Sequence, residues 1–125
     1  MTLTRKAPMK RTRPTPTLPP KMRAVLVERS QGWCEARLYG CTGRATDAAH
    51  RIASKMGGRP LGDDLRLSNF LHLCRTCHRW CEGNPVLAED LGLMLNESRD
   101  PTVEPVAYQN AGWVRLDDDG GMWPA

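Results

Sequence analysis

The fold is decided by residues 69–82, which read NFLHLCRTCHRWCE. The stretch passes through a short apolar segment and reaches Cys74-x2-Cys77, with His78 directly after the second cysteine. A Cys-x2-Cys turn presents two thiolates at the separation that a tetrahedral metal ion requires. We predict a turn at the cysteines that leads into a helix over residues 74–82, with His78 on that helix.

A second pair of cysteines, Cys34 and Cys41, lies upstream with six residues between its members. Structural zinc takes four soft ligands in a tetrahedron, so we predict a zinc site formed by Cys34, Cys41, Cys74 and Cys77. The alternative is that these are buried free cysteines, which are common small core residues. The fifth cysteine, Cys81, either substitutes as a ligand or packs inside the helix, and we favour packing.

Charge is distributed unevenly along the 125 residues, which suffice for one compact domain. Residues 1–81 contain sixteen Lys and Arg against five Asp and Glu, whereas residues 82–125 contain two against nine. A basic front half favours a polyanionic partner such as nucleic acid. The alternative is a basic surface that is merely solvated.

No apolar run approaches the roughly 18 residues that are needed to span a bilayer. The basic N-terminus is not followed by the apolar segment of a secretory signal. We therefore expect no membrane association and a location in a reducing cytoplasm. In that reducing compartment, cysteines more often bind metal or do chemistry than form disulfides.

Residues 1–20 are rich in basic residues and proline and contain no acid. Five of the ten prolines lie there and interrupt any helix, so we predict a disordered arm. Its cations, among them Arg11 and Arg13, are expected to bind the phosphate backbone of DNA. The alternative is a solubilising tail.

The remaining sequence predicts an α+β fold, with one domain over residues 21–98 and a C-terminal extension over residues 99–125. The expected helices cover residues 21–30, 74–82 and 85–95, the last with Asn84 as N-cap and Pro85 at its first position. A strand is expected over residues 45–52, and a strand or a turn with extended ends over residues 65–73. The extension is expected to hold short strands over residues 103–108 and 113–116, followed by an acidic turn.

Three polar residues stand in a spaced pattern around the cysteines. His50 ends a predicted strand, a Gly-Gly loop follows at residues 57–58, Asn69 lies five residues before Cys-x2-Cys, and His78 follows it. This pattern resembles the His-Asn-His (HNH) endonuclease family, in particular the short zinc-bound members carried by bacteriophages. The resemblance covers residues 33–85. It implies a ββα-metal (His-Me finger) core, in which a two-stranded hairpin is crossed by a helix with one metal ion between them.

The resemblance also implies a role for each of the three residues. His50 corresponds to the general base that activates water, Asn69 to the residue that pins the hairpin loop and orients the base, and His78 to a ligand of the catalytic metal. Elementary chemistry agrees, because phosphodiester hydrolysis needs a base that titrates near neutral pH. The reaction also needs a cation at the scissile phosphate, which offsets the charge that develops there.

The sequence departs from the family pattern around the catalytic metal. The residue before the base is usually a second ligand, whereas here it is Ala49, and Glu82 stands where relatives often have His. Asp47 is two residues earlier on the same strand face and is a candidate ligand. Glu82 is another, because it lies four residues after His78 on one helical face. Such oxygen-rich donors favour Mg²⁺ or Mn²⁺, with Ni²⁺ as an alternative. We expect Ala49→His or Ala49→Asp to add the missing ligand.

Three arginines near these residues, Arg51, Arg75 and Arg79, are the candidates for gripping phosphates. The sequence therefore predicts a metal-dependent DNA endonuclease that nicks or cuts duplex DNA. One alternative is a zinc-bound DNA-binding module whose catalysis is weakened by Ala49. Another is a structural partner of a larger machine, such as a phage terminase or packaging complex.

Overall fold

The computed structural model describes residues 18–52 and 65–125 of the chain. It is a mixed α+β protein with two small antiparallel sheets. Its helices are α1 (Pro20–Ser30), α2 (Arg75–Gly83) and α3 (Pro85–Asp90), and its strands are β1 (Asp47–His50), β2 (Phe70–Leu73), β3 (Val106–Tyr108), β4 (Gly112–Leu116) and β5 (Met122–Pro124). Across these two ranges, no helix has the length and apolar character that crossing a membrane requires. The predicted Gly-Gly loop at residues 57–58 lies outside the described residues, as do residues 1–17 of the predicted arm.

The first sheet is an antiparallel pair in which His50 of β1 lies opposite Phe70 of β2, and Asp47 opposite Leu73. The strand predicted over residues 45–52 is present, with regular pairing from Asp47 to His50. Over residues 65–73 the chain makes a 3-10 turn (Leu67–Asn69) and then enters β2. All four residues of β2 are buried. Helix α1 packs on β2, and α2 contacts both strands of the pair.

Helix α2 begins directly after Cys74, so Cys77 already lies in its first turn, and His78 is on the helix as the sequence predicted. Cys74 is its N-cap, and the Cys74 sulfur accepts a hydrogen bond of 3.3 Å from the backbone N–H of Cys77. This satisfies one of the donors that a helix start leaves without a partner. Cys77 and Cys81, one turn apart, form the buried face of the helix, whereas Arg75 and Arg79 are exposed.

Helix α3 ends at Asp90, so the predicted helix over residues 85–95 is too long. Gly92 has a φ of 73°, in the left-handed region that a side chain disfavours, and the chain turns there. A Cβ atom on Gly92 would lie 2.0 Å from the carbonyl oxygen of Pro105. The helix therefore stops where residues from the C-terminal segment approach its backbone.

The second sheet has the strand order β3-β4-β5, and β5 was not predicted from the sequence. Val106 of β3 and Leu116 of β4 are buried in the same hydrophobic core as Leu71 and the cysteines of α2. The backbone N–H of Ala107 donates to the carbonyl of Leu91 at 2.9 Å. The C-terminal segment thus shares the core of the preceding residues and covers one side of it.

Candidate metal centre and adjacent polar site

The four predicted zinc ligands converge in space. The sulfur atoms of Cys34, Cys41, Cys74 and Cys77 all lie within 4.8 Å of one another, and the Cys41 and Cys74 sulfurs are 3.8 Å apart. A tetrahedral zinc site with Zn–S bonds of about 2.3 Å has sulfur atoms about 3.8 Å apart. Residues from two distant parts of the chain therefore form a group that could hold a metal ion. Cys81 is buried beside it in the core, as predicted.

The surroundings of the sulfur atoms differ. Burial would raise the pKa of Cys74, but hydrogen bonds from the backbone of Thr42 and Cys77 lower it to about 6. Burial raises the pKa of Cys77 far above its usual range, and the nearby sulfur of Cys34 raises it further. Several thiols packed together without a cation cannot all ionise, because like charges at this distance repel. A bound divalent cation relieves that repulsion, so the donor set fits a metal.

A buried ion pair, which sequence reasoning missed, anchors the loop that carries Cys34. Glu35 is fully buried, and Arg29 of α1 binds both of its carboxylate oxygens at 2.9 Å. The same carboxylate accepts hydrogen bonds from the backbone N–H of His72 at 2.7 Å and from the hydroxyl of Tyr108 at 2.8 Å. The sequence did contain a signal for this ion pair, because Glu35 is the only acid in residues 31–46 and stands directly beside a predicted zinc ligand.

Next to the metal centre, a charged cluster joins strand β1 to helix α2. The Nδ1 atom of His78 lies 2.8 Å from Oδ2 of Asp47, and Arg75 donates to the same carboxylate at 2.8 Å. Burial would raise the pKa of Asp47, but hydrogen bonds from Arg75, His78 and Thr46 hold it well below its usual range. The structure therefore brings together Asp47, His78 and Arg75, three of the predicted site residues.

Glu82 lies at the edge of this cluster. Its Oε2 is 3.6 Å from Nε2 of His78, and its side chain is 65% exposed. The two nitrogens of His78 thus face two different carboxylates, Asp47 at Nδ1 and Glu82 at Nε2. Within the described ranges, the four cysteines are the only His, Cys, Asp or Glu side chains that come together in a group of three or more able to hold one metal ion. The candidate catalytic ligands therefore form two pairwise contacts that share His78.

His50 and Asn69 lie at the other end of the strand pair. The His50 ring is partly buried, with its centroid 4.5 Å from that of Phe70, and its Nε2 atom is shielded from solvent. Asn69 is buried, and its Oδ1 accepts a hydrogen bond of 2.8 Å from the backbone N–H of Ile52. The carbonyl of Asn69 accepts another, of 2.7 Å, from Arg51. Asn69 therefore fixes the backbone on the C-terminal side of His50.

The position before His50 is part of the hydrophobic core. Ala49 is 4% exposed and belongs to the same core cluster as Leu71, Cys74 and Cys77. A larger polar side chain would overpack this site, and a carboxylate would be buried there without a cation. The expectation that Ala49→His or Ala49→Asp supplies a ligand is therefore not supported by the packing.

The prediction that Arg51 grips phosphate is corrected by the structure. Its side chain is fully buried, and its guanidinium donates to four backbone carbonyls. These belong to Gly92 at 2.9 Å, Ser68 at 3.0 Å, Pro101 at 2.9 Å and Glu104 at 2.9 Å. Arg51 thus joins the end of β1 to the C-terminal segment, and its buried guanidinium binds the protein's own backbone.

The other predicted phosphate contacts have different surroundings. Arg75 and Arg79 lie one turn apart on the exposed face of α2. Arg75 is 64% exposed while it pairs with Asp47, so part of its guanidinium faces solvent. Arg11 and Arg13 lie outside the described residues.

Comparison of the chain with protein-family models, with curated proteins and with solved structures gives no match in any of the three. The function is therefore inferred from the site itself.

Proposed function

We propose that this protein is a metal-dependent DNA endonuclease of the HNH type, with a ββα-metal core and a structural zinc ion on four cysteines. The observation that carries the proposal is the contact between His78 and Asp47. It holds helix α2 against the strand that ends at His50. Two antiparallel strands followed by a packed helix, with these residue types in this order, are the arrangement that the family resemblance implies.

In the proposed reaction, His50 is the general base. A water molecule gives a proton to the imidazole, its oxygen forms a bond to phosphorus, and the bond from phosphorus to the 3′ oxygen breaks, with that oxygen taking a proton from a second water molecule. Imidazole suits this task because it changes charge near neutral pH. Asn69 acts on the base through the backbone, since it holds the N–H of Ile52 two residues after His50.

The second requirement is a cation, and the residues for it are His78 and Glu82. Asp47 accepts from Nδ1 of His78 in this proposal, which leaves Nε2, on the side of Glu82, for the metal. A carboxylate that binds the far nitrogen of a metal-bound histidine is a common device for orienting the ring. When bound, a divalent ion such as Mg²⁺ or Mn²⁺ would stabilise the charge that develops on the phosphate and the leaving oxygen.

With so few protein ligands, we expect weak binding of the catalytic metal and activity that requires millimolar Mg²⁺ or Mn²⁺, with Ni²⁺ as a further candidate. The proposed substrate is duplex DNA, because Arg75 and Arg79 place exposed positive charge beside His78. We further propose that the protein is encoded by a bacteriophage, acts in the bacterial cytoplasm and has the packaging terminase as a partner.

The alternative function is a zinc-bound DNA-binding module without catalysis. The burial of Ala49 in the core favours it, because the family position beside the base offers no ligand. The two functions differ in whether a divalent metal makes the protein cut DNA, and they agree on DNA binding.

The test is incubation of purified protein with supercoiled plasmid in Mg²⁺, Mn²⁺ or Ni²⁺, with a metal-free reaction as control. The endonuclease proposal predicts conversion to nicked or linear plasmid in at least one metal and none without metal. Plasmid that stays supercoiled in every metal, while a labelled duplex is still bound, would favour the binding module.

A further inference from the structure

The loop that carries Cys34 and Cys41 exposes a second group of residues that could bind a ligand. Trp33 is 43% exposed, and the guanidinium carbons of Arg44 and Arg37 lie 5.0 Å and 5.9 Å from the centre of its ring. Both distances are within the range of attractive cation–π contacts. Trp33 and Arg44 are also joined as an isolated antiparallel bridge, so the backbone holds this pair together.

No carboxylate in the part of the chain that the structure describes pairs with either guanidinium. Arg37 and Arg44 are exposed and take part in no ion pair or side-chain hydrogen bond within residues 18–52 and 65–125. The only acid in residues 31–46 is Glu35, which is fully buried and bound to Arg29. The outer surface of this loop therefore carries two positive charges and no negative charge.

The geometry indicates what kind of group this surface binds. A guanidinium in a cation–π contact still has N–H groups that can donate, and their planar fork matches two oxygens of a phosphate. The indole is already in contact with two cations, so it is not a free platform for stacking a nucleic-acid base. Arg37 has a φ of 53°, which is uncommon for a residue with a side chain, so the backbone alone does not favour arginine there.

The loop that carries these residues contacts the helix of the proposed active site. A Cβ atom on Gly40 of the same loop would lie 3.8 Å from Cγ2 of Thr76, in the first turn of α2. Thr76 is adjacent to Arg75, which binds Asp47 in the charged cluster. A duplex bound at α2 would therefore have its phosphate backbone in the neighbourhood of the cysteine loop.

We infer that Trp33, Arg37 and Arg44 form a phosphate-binding surface that holds duplex DNA beside the proposed cleavage site, without reading its sequence. The identity of the ligand rests on the proposed function. The two arginines bind the phosphates, and Trp33 orders both side chains before DNA arrives. The surface supplies affinity, and His50 and His78 supply the chemistry.

The test compares Arg37→Gln/Arg44→Gln with wild type in binding a fluorescein-labelled duplex at several NaCl concentrations, without added divalent metal. Loss of two phosphate contacts lowers the slope of log affinity against log salt by about two. Affinity at low salt falls about tenfold or more, to a similar extent on duplexes of unrelated sequence. The matched control is Arg99→Gln/Arg115→Gln, which removes the same charge from the acidic half and is expected to leave the slope unchanged.

The variant Trp33→Leu tests whether Trp33 orders the two arginine side chains, separately from the charge that they carry. It keeps both cations, so the slope stays near the wild-type value while the affinity falls several-fold. Zinc content and thermal unfolding of each variant establish that the loop is intact. An unchanged slope in Arg37→Gln/Arg44→Gln, an equal loss in the control, or no DNA binding by the wild-type protein would each overturn the inference. Plasmid cleavage is measured separately, so a protein that binds through this surface without cutting would refute the endonuclease alone.

Discussion

His78 of helix α2 and Asp47 of strand β1 face one another, with 2.8 Å between Nδ1 of the imidazole and Oδ2 of the carboxylate. The two residues are 31 positions apart in the chain, so the contact exists only because the fold packs α2 on β1. It fixes the orientation of the His78 ring and directs its other nitrogen toward Glu82. In the proposed enzyme, that orientation determines how well the catalytic metal is bound.

Asp47→Ala should therefore raise the metal concentration needed for half-maximal plasmid cleavage by about 10- to 100-fold, the usual effect of losing a carboxylate behind a metal-bound histidine. Asp47→Asn should raise it less, because the amide oxygen still accepts from Nδ1. Cleavage rates measured over a Mg²⁺ or Mn²⁺ titration test both. An unchanged metal requirement in Asp47→Ala would mean that Asp47 does not act through His78.

The metal centre makes a separate prediction about stability. Cys77→Ser should lower the zinc content from about one ion per chain toward zero and unfold the domain, since zinc binding and folding are coupled in small sites. Cys81→Ala is the matched control, because Cys81 is buried nearby but lies outside the four-cysteine group. It should keep its zinc. Metal analysis and thermal unfolding measure these effects, and a folded, zinc-free Cys77→Ser protein would refute the structural role.

Arg51 and Arg79 should behave in opposite ways. Arg51→Met leaves four carbonyls without their donor, three of them in buried hydrogen bonds, and should reduce the free energy of unfolding by about 3–5 kcal/mol. Arg79→Gln, on the exposed face of α2, should change it by less than about 0.5 kcal/mol and weaken DNA binding instead. Urea denaturation and duplex binding provide the two measurements. A stable Arg51→Met protein with weakened DNA binding would restore Arg51 as a phosphate contact.

Asp118 gives the C-terminal turn a predictable dependence on pH. Burial would raise its pKa, but hydrogen bonds from Ser68 and Arg66 lower it. A lowered pKa in the folded state stabilises the protein above the usual aspartate pKa of about 3.9. That contribution disappears as the pH falls through the lowered value. Asp118→Asn should lower the free energy of unfolding by at most about 1 kcal/mol at pH 7, because the ion pair of Asp118 with Arg66 is partly exposed. The difference in unfolding free energy between the variant and wild type should vanish in acid. A difference that stays constant between pH 7 and pH 3 would contradict this.

Local signals in the sequence predicted much of the fold around the site. The cysteine spacing predicted the four-sulfur cluster, because structural zinc takes four thiolates, and the start of α2, because helix capping acts over a few residues. The same was true of β1 and of the placement of His78 on a helix. Apart from the meeting of the two cysteine pairs, these features follow from rules that act within a single stretch of sequence.

Long-range contacts determine what the sequence did not reveal. An arginine beside a candidate base resembles a phosphate ligand until the carbonyls of Gly92, Pro101 and Glu104 are brought around it. The early end of α3 depends on the close approach of Pro105 to Gly92, and the core position of Ala49 depends on α2. The Trp33 surface likewise depends on how the cysteine loop closes.

The most direct test of the central claim is the rate of metal-dependent plasmid cleavage by His50→Ala beside that of wild type, at equal protein, metal and salt. The variant's zinc content, thermal unfolding and affinity for a labelled duplex are measured on the same preparations and should match wild type. The proposed function predicts a loss of about 10² or more in rate, the usual contribution of a general base. Cleavage by His50→Ala at the wild-type rate would contradict it.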